Sequence, residues 1–149
     1  MSLPYETASS GEKATAELQR ILSRFGCERF GTMTDNAEGV LICQFSYRSR
    51  DVIVRASFRG YAAAWLKEHP YNYSRMRSTK QQHEAKASEI GRVAVHSILR
   101  DWIKGQTMAI ETGMLTFEGA FLGQLMLANG RTVLDEAMQD VKLLGAPQS

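Results

Sequence analysis

The chain has 149 residues, a formal charge of +2, 44% hydrophobic residues and two cysteines. That length suits a single domain able to bury its own core. Cys27 and Cys43 form neither a disulfide framework nor paired zinc spacing, and no leader-like or 18-residue apolar stretch occurs, so secretion and membrane spanning are not expected.

Residues 1–8 carry Pro4 and no periodicity and are expected to form a flexible arm ahead of a domain spanning 9–144. Ser9-Ser10-Gly11-Glu12 has capping-box spacing. Ala14, Leu18 and Leu22 then recur at helical spacing up to Gly26, which predicts a helix over 11–24. Three alternating segments follow, at 29–34, 40–48 and 51–58, joined by a turn cluster at 35–39 and by the short Arg48-Ser49-Arg50 connection. Leu41, Cys43, Phe45 and Tyr47 share one face of the second segment. Connections this short imply an antiparallel meander.

A short helix is predicted over 60–68, ending before Pro70. The segment 70–80 is basic, aromatic and aperiodic, as in an exposed loop. From 79 to 112 the pattern is helical, with Ile90, Ala94, Ile98 and Trp102 spaced by four as the expected core stripe, widened by Val93, Leu99, Ile103, Ala109 and Ile110, and with Trp65 and Trp102 both expected in the core. Gly91 and Gly105 interrupt it, which suggests close packing or a bend. Thr116 opens a further helix expected to reach Leu127, and Thr132 starts a last short one before a tail at 145–149. The expected fold class is α+β: a three-stranded antiparallel meander packed against a long helix, with additional short helices.

His83-Glu84 lacks the second histidine of HExxH, because position 87 is Ala, and His83, Glu84, Glu89 and His96 read as a solvated helix face. No GxSxG, GxxxxGK[ST] or GxGxxG occurs. Glu111 and Glu118 flank the Gly113 corner as ordinary helix-end carboxylates. No catalytic residues, metal or cofactor are expected, although an active site assembled from distant residues leaves no local motif.

The charge is unevenly placed. Residues 48–104 hold 12 Lys and Arg against 5 Asp and Glu, while the remainder holds 6 against 11. Within the basic stretch, Arg48, Arg50, Arg55, Arg59, Tyr71, Tyr73, Arg75, Arg77 and Lys80 form the candidate binding set. Cationic side chains neutralise phosphates and exposed tyrosines stack on unpaired bases, a combination suited to single-stranded nucleic acid. The same face could instead meet a protein.

Ser10-Gly11-Glu12-Lys13, Arg24-Phe25-Gly26-Cys27, the run from Ser97 to Gln106, Thr116-Phe117-Glu118-Gly119-Ala120-Phe121 and Asn129-Gly130-Arg131-Thr132 carry a resemblance. Across most of its length the chain resembles small proteins of tailed bacteriophages and prophages that have no established activity. The resemblance implies a protein working in the cytoplasm of a bacterial host. The order helix, three-strand meander, helix is also similar to the core of single-strand annealing recombination proteins, a likeness of fold alone. The expectation is a non-enzymatic accessory protein of phage DNA metabolism that binds nucleic acid, as a candidate homo-oligomer. The alternative is a protein-binding inhibitor or modulator of a host nuclease or defence complex.

Overall fold

The computed structural model describes residues 2–140 and 144–145; most of the tail expected at 145–149 lies outside them. Helix α1 spans Gly11–Phe25. Its cap is Ser10, whose hydroxyl accepts from the Lys13 amide at 3.1 Å. Gly26 ends it at φ 104°, donating back to the Leu22 and Ser23 carbonyls. Ala14, Leu18 and Leu22 are buried along one stripe, as their spacing predicts.

Strands β1 (Arg29–Asp35), β2 (Val40–Tyr47) and β3 (Arg50–Ser57) form one antiparallel sheet in the order β1-β2-β3. Register runs from Arg29 opposite Ser46 to Asp35 opposite Val40, and from Val40 opposite Ser57 to Tyr47 opposite Arg50. Arg50 is thus a strand residue rather than part of the turn. The β2–β3 connection is only Arg48-Ser49, both at positive φ (48° and 66°). Tight hairpins need that geometry to match strand twist.

Helix α2 (Arg59–Glu68) runs into α3 (Lys80–Glu111), which Thr79 and Gln82 start with a capping box. Helix α3 packs against α1 and α2 and rests on the core face of the sheet. Its buried positions drift by four: Ala87, Gly91, Val95, Leu99 and Ile103. Ala94, Leu99, Ile103 and Ala109 of the expected stripe are buried, whereas Ile98 and Trp102 lie at its exposed margin. Trp65 is buried, but Trp102 is 37% exposed and meets Phe121 edge-on at 5.7 Å. The large apolar residues of the pattern do not mark its centre, because α2 approaches α3 closely at Gly91. A Cβ on Gly91 would stand 2.8 Å from the Phe58 carbonyl oxygen, while around Gly105 there is open space. Only the first glycine is there for close packing.

The helix expected from 116 to 127 is much shorter. Helix α4 covers Phe117–Phe121, a 3-10 turn follows at Leu122–Gln124, and the chain then extends. Leu125 bridges Val52 and the Met126 amide donates to the Asp51 carbonyl at 2.9 Å, so the edge of β3 takes the place of further helical turns that Gly119 and Gly123 disfavour. Helix α5 (Val133–Gln139) closes the described fold behind a Thr132–Asp135 capping box. The core joins Leu18 and Leu22 to Cys43, Phe45, Val52, Leu99, Ile103, Phe117 and Phe121. The fold is therefore mixed α+β, with a three-stranded meander, one long helix and shorter helices. No helix among the described residues is long and apolar enough to cross a membrane.

Candidate nucleic-acid interface

The structure divides the basic and aromatic set into separate places. Tyr71 to Lys80 sit at the N-terminal end of α3. Arg48 and Arg50 sit beside Ile110 and Phe117 at the opposite end. A rise of 1.5 Å per residue puts Lys80 and Ile110 about 45 Å apart along α3. Short in sequence, the candidate set is long in space.

Arg48 lies over the Tyr47 ring, 5.2 Å from its centroid. Arg50 is held by Glu118 at 3.1 Å, which also gives that carboxylate a cationic partner of its own. Arg55 faces Asp135 at 3.8 Å. Arg59 folds back on the β1–β2 turn, donating to the Ala37 carbonyl at 2.7 Å. Each of these four already has an internal contact.

The loop after α2 is different. Tyr71 is half-buried and closes it by donating to the Ser78 carbonyl at 2.9 Å, with its ring against His83. Inside the loop, the Asn72 carbonyl accepts from the Arg75 and Met76 amides, and its side-chain oxygen accepts from the Ser74 amide and hydroxyl. This bracing leaves Tyr73 89% exposed at the tip. Arg75, Arg77 and Lys80 are exposed around it, and among the described residues none of the three forms an ion pair. A preorganised aromatic ring beside uncommitted cations can stack a base and hold its flanking phosphates.

His83, expected on a solvated helix face, is only 5% exposed. Its Nε2 donates to the His69 carbonyl at 2.6 Å and its ring packs against Trp65 and Tyr71, so it anchors the loop. Among the described residues, no group of three His, Cys, Asp or Glu side chains converges on a position for a metal ion. Burial pushes the Cys43 thiol up to about 12 and the half-buried Cys27 thiol up to about 11. Both are protonated at neutral pH, the unreactive form of the group.

A second basic surface went unnoticed in the sequence. Arg20, Arg24, Arg100 and Lys104 line a groove between α1 and α3 together with Glu17 and Asp101. Each helix contributes a basic pair spaced by four, which was legible. That the two pairs meet was not. Arg100 is neutralised by Glu17 at 3.3 Å and Asp101 at 2.9 Å, and the Arg100 guanidinium and the Tyr5 hydroxyl hold the Asp101 carboxyl below its usual range. Tyr5 donates to Asp101 at 2.6 Å and Tyr61 donates to the Pro4 carbonyl at 2.5 Å, so the N-terminal segment makes contacts at the helical layer.

Comparison with family models, with curated proteins and with solved structures finds no match.

Proposed function

We propose that this chain is a non-enzymatic accessory protein that binds nucleic acid, with single strands as its preferred form and the braced loop from Tyr71 to Lys80 as its contact element. The single observation that carries this reading is the exposed Tyr73 ring flanked by Arg75, Arg77 and Lys80, none of which has an acidic partner among the described residues. Base stacking on an exposed ring and phosphate neutralisation by uncommitted cations are the two parts of sequence-tolerant single-strand binding. The phage DNA-metabolism setting and the bacterial cytoplasm belong to the same proposal and rest on the sequence resemblance. The test is fluorescence anisotropy of labelled single- and double-stranded oligonucleotides at two salt concentrations. Salt-sensitive binding with a preference for single strands is expected; no binding at low salt rejects the reading.

A protein target is the second reading. Met114, Leu134 and Met138 expose apolar side chains around α4 and α5, far from the basic loop in sequence. Failure to bind any oligonucleotide, together with a protein partner retained through these residues, would favour it.

A further inference from the structure

The two edges of the sheet are treated differently. Beyond β3, Leu125 and Met126 pair with Val52 and Asp51 and cover the start of that edge, and Arg55 adds a charge further along it. Beyond β1, no described segment pairs, and six of its seven residues are exposed. Residues 30–34, Phe-Gly-Thr-Met-Thr, contain neither proline nor charge, the usual protection of an open edge.

The ladder fixes which backbone groups face outwards. Amides alternate sides along a strand. The Met126 amide donates to Asp51 at 2.9 Å on the outer side of β3, and the Phe58 amide donates to Gly39 at 2.9 Å on its β2 side. Val52, Val54 and Ala56 therefore bond β2 through their partners Phe45, Cys43 and Leu41. The other residues of β2, Ser46, Gln44, Ile42 and Val40, then bond β1 through Arg29, Gly31, Met33 and Asp35. Phe30, Thr32 and Thr34 are left directing their N–H and carbonyl groups to the open side.

We infer that β1 is a homodimerisation edge that pairs antiparallel with β1 of a second copy, about a two-fold axis at Thr32. This register gives every residue of the strand a partner. Thr32 opposes itself and Phe30 opposes Thr34 as hydrogen-bonded pairs, each exchanging two bonds. Arg29 of one copy opposes Asp35 of the other at both ends, and Gly31 opposes Met33. Two independent fits support it. Arg29 is 79% exposed with only a 4.0 Å approach to Asp51, and Asp35 uses one oxygen on the Glu38 amide and keeps the other. Nothing lies within 4 Å of where a Gly31 Cβ would stand, and Gly31, Ile42 and Gln44 line a groove there. The 59%-exposed Met33 of the other copy fills it. A slip of two residues sets Arg29 against Met33, or Gly31 against Asp35, and loses both fits. The result is one continuous two-fold sheet.

Sedimentation velocity of the full chain over a dilution series tests this. A species of twice the 16.7 kDa chain mass that dissociates on dilution is expected. Thr32→Pro removes an N–H aimed away from β2, so it abolishes the dimer with unchanged far-ultraviolet circular dichroism. Thr32→Lys sets two ammonium groups on the axis without altering the backbone and gives the same loss. Arg29→Asp weakens association by about tenfold, through like charges at both ends, and R29D/D35R recovers most of it. A monomer at every concentration overturns the inference, as does a dimer indifferent to both Thr32 variants; R29D/D35R remaining as weak as R29D overturns the register.

Discussion

Tyr73 has no structural task in the loop that displays it, whereas Tyr71, two residues away, closes that loop through Ser78. The two tyrosines therefore separate in experiment. Tyr73→Ala weakens single-strand binding by about 1–3 kcal/mol and leaves the melting temperature unchanged. R75A/R77A lowers affinity and reduces the slope of log affinity against log salt by about 1.4, two single-strand phosphate contacts. Anisotropy titrations across salt concentrations read both. Elsewhere, His96 is half-buried between α1 and α3, its Nδ1 bonded to the Arg92 carbonyl at 2.9 Å. Burial first, and the Arg92 charge as well, lower its pKa below the usual 6.5, against smaller opposing effects from the Arg92 carbonyl and Glu89. The folded state thus holds fewer protons than the unfolded chain, so the stability it contributes is present above about pH 6.5 and is lost as pH falls through the lower folded value. Thermal melts show that decline in the native chain, and His96→Gln removes that part of it.

Helix α3 carries two interior glycines with opposite meanings. At Gly91 an added methyl meets the Phe58 carbonyl oxygen at 2.8 Å and the Ala62 amide nitrogen at 3.2 Å, both backbone atoms that cannot swing aside. Gly91→Ala therefore destabilises, by about 1–3 kcal/mol less the roughly 1 kcal/mol gain in helix propensity. Gly105→Ala meets open space and stabilises by up to about 1 kcal/mol. Opposite shifts of melting temperature, about 2–4 °C per kcal/mol, are expected. The β2–β3 hairpin offers a third substitution. Arg48 and Ser49 both adopt left-handed backbone that suits Asn-Gly far better, so R48N/S49G raises stability by about 1–2 kcal/mol. Urea unfolding midpoints check it.

The length of α3 sets the distribution of charge over the whole molecule. A six-nucleotide strand at the roughly 3.4 Å per nucleotide of a stacked helix spans about 20 Å, well short of the distance of about 45 Å from the loop at Lys80 to Arg48 and Arg50. R48A/R50A therefore leaves the affinity for that short oligonucleotide unchanged while R75A/R77A lowers it; equal losses would show both ends to be one surface. Local signals already determined much of this protein. Alternation marked the three strands, Thr132 and Gly26 marked helix ends, and the short connection at Arg48-Ser49-Arg50 implied an antiparallel hairpin, because each rests on contacts between residues close in sequence. What lay beyond them needed tertiary structure. The Arg50–Glu118 and Arg55–Asp135 pairs withdrew two candidate cations, Tyr71 became a brace, and Leu125 left a helix for the edge of β3. Arg20, Arg24 and Lys104 came together only when α1 met α3. A side chain's residue type states what it can bind, but its partners come from distant parts of the chain, and those partners decide whether it is free to bind anything else.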